Sequence, residues 1–255
     1  MAILLHLRRK DAPFAVIDTH AGRGRYDLSG TEAARTGEAA DGIGRLRGLA
    51  ADGALGEYLR LAADEANYPG SPLLAAALLR AQDRLVAIER HPEEFAALRN
   101  ALGRRRNARA EEGDGYQRLA ALLPPPERRG LIVIDPPFES AGEFHDAARA
   151  LAAALKRFAT GIYLLWFPVK SAAEANAFCG EVLAAGATKA LRIDLDIGAA
   201  APAPDGKERL SGSGLVVVNP PYGFADEMRA ALARIAPLLS DRARFEVRML
   251  AGDAG

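Results

Sequence analysis

The chain has 255 residues, 49% of them hydrophobic and 26% charged, which is typical of a globular protein and excludes a disordered or fibrous one. Its 33 basic and 33 acidic side chains cancel, which excludes a protein that holds nucleic acid by bulk positive charge alone. The single cysteine excludes an internal disulfide, and no apolar run is as long as a membrane span, so we expect one cytoplasmic domain without membrane segments.

Short apolar runs that end in a polar residue or a proline recur along the chain and predict strands buried on both faces. These runs cover residues 14–17, 85–88, 131–134, 162–167 and 215–218, with weaker candidates at 108–112 and 190–197. Ala-rich helical stretches lie between some of the runs, at 92–102, 144–158 and 172–185. The alternation of strands and helices predicts an α/β fold with a parallel sheet.

One interval breaks this alternation, because the distance from Asp18 to Glu89 far exceeds what a single crossover helix needs. Within it, residues 30–67 carry apolar side chains at helical spacing and predict an inserted helical subdomain. Residues 69–72 close the insertion. There Ser71 is the predicted N-cap of the next helix, with Pro72 at the first helical position.

Acidic side chains stand at or just after the ends of the first four predicted strands: Asp18, Glu89, Asp114 and Asp135. In open α/β sheets, ligands bind beyond the carboxyl ends of the strands. The four carboxylates therefore predict one ligand site along that edge of the sheet.

The loop after the first strand, residues 18–25, contains Gly22 and Gly24, which allow a tight turn and a close approach to a ligand. It lacks the third glycine of the dinucleotide-binding pattern. An acidic residue before such a loop suits a cationic cofactor with an amino-acid tail, such as S-adenosylmethionine (AdoMet). The alternative is a tight strand-to-helix turn without a ligand.

The next two carboxylates suit the rest of such a cofactor. Glu89 can accept hydrogen bonds from both hydroxyls of a ribose, although a plain surface glutamate is the alternative. Asp114, in Asp114-Gly115, can accept a bond from an adenine amine or cap the following helix, and the two roles are compatible.

The motif Asp135-Pro136-Pro137-Phe138 predicts the chemistry. Two prolines directly after a buried strand have no N–H groups, stiffen the backbone and leave carbonyl groups pointing outward. Asp135 and the Pro136 carbonyl can accept the two N–H bonds of an exocyclic adenine amine, and Phe138 can stack on the base. This arrangement predicts methylation of the adenine N6 nitrogen.

A second motif of the same type, Asn219-Pro220-Pro221-Tyr222, follows a later strand. Asp135 follows the fourth predicted strand, next to the cofactor strands, whereas Asn219 follows the seventh. We therefore assign catalysis to Asp135 and interpret the second copy as a rigid turn.

Together these motifs resemble the RlmJ-type 23S ribosomal RNA adenine-N6 methyltransferases, a family of class I AdoMet-dependent methyltransferases. The matching phrases run in order through nearly the whole chain, at residues 18–22, 24–26, 35–38, 68–72, 89–92, 114–115, 128–138, 156–161 and 219–221. The resemblance implies a Rossmann-like sheet with an inserted helical subdomain, 23S rRNA as partner, and no metal. We expect a monomer.

The resemblance also implies site residues. The residues that it implies contact AdoMet are His20, Ser71, Glu89, Asp114 and Gly115. The loop at residues 18–25 adds Asp18 and Gly22 as further predicted contacts. Asp135 is the implied catalytic residue and also borders the cofactor, with Pro136 and Phe138 beside it.

The chain departs from the family in two places. Phe138 stands where the family usually has tyrosine, so a phenolic hydrogen bond is lost while stacking is kept. Family members also begin about twenty residues earlier, with a segment near the cofactor and target base, and we expect such residues to raise turnover.

Basic residues cluster at 8–10, at 104–106 with Arg109, at 128–129 and at 156–157. Each cluster alone is typical of a solvated helix end, whereas together they predict an RNA-binding face. Three alternatives stay open at this point: a DNA adenine-N6 methyltransferase, a non-catalytic RNA-binding relative, and an NAD-dependent oxidoreductase on the same fold.

Overall fold

The computed structural model describes residues 1–30, 37–140, 142–198 and 212–253. Its strands are β1 Ala15–Asp18, β2 Arg25–Tyr26, β3 Tyr68–Pro69, β4 Arg84–Glu89, β5 Ala108–Glu112, β6 Gly130–Ile134, β7 Ile162–Pro168, β8 Ala190–Asp196, β9 Gly212–Val218 and β10 Arg244–Ala251. Its α-helices are α1 Ala2–Arg8, α2 Glu38–Asp41, α3 Gly53–Leu61, α4 Ser71–Leu78, α5 Pro92–Leu102, α6 Gly115–Leu122, α7 Glu143–Arg157, α8 Ala172–Ala184 and α9 Phe224–Leu239. All seven predicted strands are present, and β10 is an eighth strand of the main sheet that the sequence analysis did not predict.

The main sheet has eight strands in the order β10-β8-β9-β7-β6-β1-β4-β5. Neighbours from β7 to β5 are parallel, whereas β9 is antiparallel to both β7 and β8, and β10 is antiparallel to β8. Hence β9 and β10 run against the other strands. The Rossmann-like α/β sheet predicted from the sequence is confirmed, with two reversed strands at one side.

Helices cover both faces of this sheet because successive strand side chains point to opposite sides. In β1, Ile17 packs with α6, α7 and α8, while Val16 packs on the other face with α1, α4 and α5. Cys179 of α8 is buried in the first of these cores. No helix among the described residues is long and apolar enough to cross a membrane.

The predicted insertion, residues 30–67, contains α2, α3 and two short 3-10 helices, at Ile43–Leu46 and Glu65–Asn67. Its two ends meet at the small ribbon in which β2 pairs with β3, and the Gly70 N–H donates to the Gly24 carbonyl at 2.8 Å. The chain thus leaves and re-enters the main fold at one point. Residues 31–36, including the first half of the 35–38 phrase, lie outside the described residues, and the division into a subdomain stays a prediction.

The helix after this ribbon begins one residue earlier than predicted. Gly70, not Ser71, is the N-cap of α4, because its backbone is extended and its carbonyl accepts the N–H of Leu74 at 3.0 Å. Ser71 is therefore the first helical residue and Pro72 the second. The shift frees the Ser71 hydroxyl from capping.

Candidate active site

The four predicted carboxylates stand at the carboxyl edge of four adjacent strands, in the sheet order β6, β1, β4, β5. Asp18 ends β1 and lies in register with Val133 of β6 and Ala87 of β4. Glu89 ends β4 opposite Glu112, two residues before Asp114. The sheet therefore brings these acidic side chains to one edge, as the sequence predicted.

Asp18 is the most deeply buried of them, with 1% of its surface exposed. Burial raises its pKa to about 6, the Ser71 hydroxyl and the His20 backbone N–H lower it, and the charge of Glu89 raises it. Its Oδ1 atom is buried and has no hydrogen-bond partner among the described residues. A buried acceptor without a partner is costly and points to a missing donor or cation.

Glu89 is held in place by two backbone donors. The Gly22 N–H donates to Oε2 at 2.9 Å and the His91 N–H donates to Oε1 at 2.8 Å. Each carboxylate oxygen keeps a further lone pair for a ligand. Gly22 has φ +60°, a left-handed conformation that other residues rarely adopt, so glycine is favoured where this loop meets the carboxylate.

The Asp114-Gly115 pair joins the same edge to β1. Asp114 Oδ1 accepts the N–H of Gln117 at 3.0 Å, which confirms the predicted N-cap of α6. A Cβ at Gly115 would overlap the Thr19 carbonyl oxygen, so only glycine lets the helix start approach the β1 loop this closely. Asp114 is thereby positioned beside the cofactor loop with one carboxylate oxygen outside the cap.

Thr19 fixes the tautomer of His20. The Thr19 hydroxyl donates its single proton to the Val133 carbonyl at 3.0 Å and lies 2.8 Å from His20 Nδ1. We therefore assign the proton of the neutral ring to Nδ1, which leaves the lone pair on Nε2. Burial lowers the pKa of His20, against the charges of Glu143, Glu89 and Asp114. His20 thus offers a neutral acceptor, which suits a positively charged ligand.

Two neighbours of His20 were not predicted. The ring of Tyr116 lies edge-on to His20 with centroids 4.9 Å apart, and its hydroxyl donates to Glu143 Oε1 at 2.9 Å. Burial, followed by the bond to Glu143, raises the pKa of Tyr116. Tyr116 directly follows Asp114-Gly115, and this position was the one signal in the sequence that could have indicated its place in the site. Glu143 belongs to α7, after β6, so the sequence contained no such signal for it.

Asp135 stands at the end of β6, next to β1. Asp135 is exposed to solvent, yet desolvation of its carboxylate by the surrounding protein and the charge of Asp18 together raise its pKa to about 7. The two carboxylates thus form an acidic pair that disfavours a second negative charge.

Phe138 lies in the core and is 8% exposed. Its ring centroid is 4.7 Å from that of Phe144 and 5.8 Å from that of Trp166, which the sequence analysis did not single out. Its φ of +50° is unusual for a residue other than glycine. Stacking of Phe138 on a target base stays a prediction, and it requires the ring to become accessible.

The second Pro-Pro motif lies at the opposite edge of the sheet. Because β9 is antiparallel to β7, its last residue, Val218, pairs with Tyr163 near the start of β7. The side-chain amide of Asn219 donates to the carbonyls of Ala159 and Gly161 at 2.8 and 2.7 Å. Asn219 therefore joins two turns at the amino edge, away from the acidic site.

The raised pKa of Asp135 predicts a pH effect on stability. Since its folded-state pKa of about 7 lies above the ordinary 3.8, the group favours folding at low pH, and this contribution is lost as pH rises through about 7. We expect the melting temperature of Asp135→Asn to fall less than that of the wild type between about pH 5 and about pH 9. Thermal unfolding across that range checks this, with the exposed Asp241→Asn as control. Parallel curves for Asp135→Asn and the wild type would show that Asp135 titrates as it does in the unfolded chain.

The residues at this edge fit AdoMet on three counts. The unpartnered buried oxygen of Asp18 suits the cationic amine of an amino-acid tail, and the fixed carboxylate of Glu89 suits ribose hydroxyls. The neutral ring of His20 suits a positively charged ligand.

Comparison with known proteins gives consistent results over most of the chain. The family described as "Ribosomal RNA large subunit methyltransferase D, RlmJ" matches residues 11–248. The chain is 40% identical to "Ribosomal RNA large subunit methyltransferase J" of Escherichia coli (strain K12), over 90% of this chain and 83% of that protein. It is 38% identical to the protein of the same name from Haemophilus influenzae, over 94% of this chain and 86% of that protein.

A solved structure agrees with these relatives. A crystal structure of a protein from Legionella pneumophila str. Philadelphia 1 superposes with a TM-score of 0.85 at 32% sequence identity. The match covers 96% of this chain and 91% of that one.

Proposed function

Because the chain belongs to the ribosomal RNA large subunit methyltransferase family RlmJ, we propose that it transfers a methyl group from AdoMet to the N6 amine of an adenine in 23S rRNA. The observation that carries the adenine-N6 assignment is the 135–138 motif at the end of β6, beside the buried Asp18. The reaction proposed needs no metal ion and only groups from one chain, so a monomer suffices. Its rRNA substrate implies action in the bacterial cytoplasm.

We assign the cofactor to the carboxyl edge from β1 to β5. When bound, AdoMet supplies a methyl group on a positively charged sulfur. Asp18 and Ser71 would hold the amino-acid end, Glu89 the ribose, and Asp114 with Gly115 the adenine end. His20, as a neutral acceptor, would add no positive charge near the sulfur.

Asp135 has two tasks in this proposal. As a carboxylate it accepts one N–H of the target amine while the Pro136 carbonyl accepts the other, which turns the nitrogen lone pair toward the methyl group. The methylated nitrogen must then lose a proton, and a carboxylate whose pKa is about 7 is a suitable acceptor near neutral pH. Asn219 cannot take the role of Asp135 in this proposal, because it lies at the amino edge of the sheet.

The proposal predicts that RNA, and not DNA, accepts the methyl group. We expect the purified protein to transfer labelled methyl groups from AdoMet to protein-free 23S rRNA or its fragments, and to leave duplex DNA unmodified. Scintillation counting of both acceptors at equal adenine content measures this. Methylation of DNA with no methylation of rRNA would favour the DNA adenine-N6 alternative. AdoMet binding without transfer to either would favour the non-catalytic one.

A further inference from the structure

Each basic cluster noted in the sequence precedes a strand of the parallel part of the sheet. Residues 8–10 come before β1, 104–106 before β5, 128–129 before β6, and 156–157 before β7. Each cluster therefore lies at the amino edge of the sheet, whereas Asp18, Glu89, Asp114 and Asp135 lie at the carboxyl edge. The net charge of the chain is zero, but its basic clusters and the four acidic site residues lie at opposite edges of the sheet.

Three of these clusters lie on loops that are joined across the strand starts, and the fourth, residues 156–157, precedes β7 beside β6; together they are called the amino-edge strip. Arg129 donates to the carbonyls of Ala12 and Leu7 at 3.0 and 2.6 Å, which joins the loop before β6 to the loop before β1. Arg80 donates to the Lys10 carbonyl at 2.9 Å, and its own carbonyl accepts the side-chain amide of Asn107 at 2.8 Å. The loops before β6, β1, β4 and β5 are thereby tied together.

Most cations on this strip are available to a ligand. The carboxylates of these loops, Asp83 and Glu127, are already paired with Arg80 and Arg84 at 2.8 and 2.9 Å, and Asp11 approaches Arg80 at 3.9 Å. By contrast, a further set of exposed side chains forms no ion pair with any described carboxylate. This set consists of Arg9, Lys10, Arg104, Arg106, Arg128, Lys156 and Arg157.

The second Pro-Pro motif places an aromatic side chain on the same edge. Tyr222 is 79% exposed, more than any other large hydrophobic residue in the described part of the chain. It lines a hollow of about 380 Å³ together with His6, Arg9 and the carboxylate-bearing Glu227. Burial lowers the pKa of His6, and the positive charges of Arg9, Arg129 and Lys10 lower it further. The hollow therefore places the exposed ring of Tyr222 beside one cation, Arg9, and one carboxylate, Glu227.

We propose that this amino-edge strip is a second RNA-binding surface, which holds rRNA flanking the target adenine while the target itself enters the carboxyl edge. Free arginines and lysines bind phosphates, and an exposed tyrosine stacks on an unpaired base. The five residues of β6 separate the two edges by about 17 Å, so one RNA must extend beyond the target nucleotide to contact both. This inference rests on the proposed function for the identity of the RNA.

Charge-neutralising pairs test the strip. We expect Arg104→Gln with Arg106→Gln, and Lys156→Gln with Arg157→Gln, to weaken binding of a long 23S rRNA fragment. Each pair should reduce the slope of log affinity against log salt by about 1 to 2. Arg242→Gln with Arg244→Gln is the matched control, since these exposed arginines lie away from the amino edge. They stand before or at the start of β10, the border strand that pairs there with the end of β8. Slopes equal to the control for both test pairs would overturn the proposal.

The aromatic contact has its own control. Tyr222→Ala should weaken binding of the long fragment about tenfold, whereas Tyr222→Phe should retain wild-type affinity, because stacking needs the ring and not the hydroxyl. Methylation of a short oligonucleotide that spans only the target should be unchanged in all these variants. If the wild type methylates no RNA, the proposed function is wrong, but the RNA affinities of the variants can still be compared. If Tyr222→Ala binds the long fragment as tightly as the wild type does, the hollow is not part of the RNA-binding surface.

Discussion

Replacement of Asp135 by asparagine is expected to slow methyl transfer by about two orders of magnitude or more, which corresponds to about 3 kcal/mol in the barrier. The asparagine side chain lacks the negative charge that, in the proposed function, orients the target amine and accepts its proton. AdoMet affinity should change little, because the ribose and amino-acid anchors, Glu89 and Asp18, are kept. Single-turnover rates with 23S rRNA and calorimetric titration with AdoMet measure the two quantities separately.

Asn219→Ala is the control for Asp135→Asn, since the two residues belong to sequence motifs of the same kind. Loss of its bonds to Ala159 and Gly161 should lower the melting temperature, with the transfer rate per folded molecule nearly unchanged. An active Asp135→Asn together with a folded but inactive Asn219→Ala would contradict the assignment of the catalytic motif.

Replacement of Glu89 by alanine should weaken AdoMet binding by about 1.5–3 kcal/mol. The variant loses the acceptor for the ribose hydroxyls, and it also releases the Gly22 and His91 N–H groups that the carboxylate holds. Calorimetry against the wild type measures the loss.

Glu93→Ala is the control for Glu89→Ala, because Glu93 is an exposed carboxylate in the first turn of α5, four residues away. It should bind AdoMet as the wild type does. Equal affinities of all three proteins would remove Glu89 from the cofactor site.

The placement of the acidic residues at one edge of the sheet could be predicted from the sequence because each of them is marked by its immediate neighbours in the chain. Asp18, Glu89 and Asp135 each follow a short buried apolar run, and parallel strands present their carboxyl ends at one edge. The position of Asp114 could be predicted from the helix that it caps. The pattern of apolar runs therefore predicted the sheet, and the parallel sheet predicted that the carboxylates lie together at its carboxyl edge.

Other features depend on strand direction and tertiary packing, which one sequence does not encode locally. β10 was missed because it alternates apolar residues with the charged Glu246 and Arg248, as a half-exposed border strand does, whereas the predicted strands were continuous apolar runs. The reversal of β9 moved Asn219 and Tyr222 to the amino edge. The predicted RNA-binding face was defined by clusters of basic residues in the sequence. Only the topology shows that these clusters lie at the opposite edge of the sheet from Asp18, Glu89, Asp114 and Asp135.

Side-chain environment was the least predictable part of the site. The aromatic residue of the 135–138 motif was expected to face the target base, yet Phe138 packs between Phe144, at the start of the next helix, and Trp166 of β7. The hydrogen bonds of Thr19 that set the His20 tautomer involve Val133, 114 residues away. Such long-range contacts leave no periodic trace in the sequence.

Nucleoside analysis of the reaction product tests the central claim most directly. Protein-free 23S rRNA incubated with the protein and AdoMet is digested to nucleosides and examined by mass spectrometry beside an N6-methyladenosine standard. We predict that N6-methyladenosine forms at a single position with the wild type and is at background level with Asp135→Asn. A methyl group on another base, or on another atom of adenine, would contradict the assignment of Asp135 to the N6 amine.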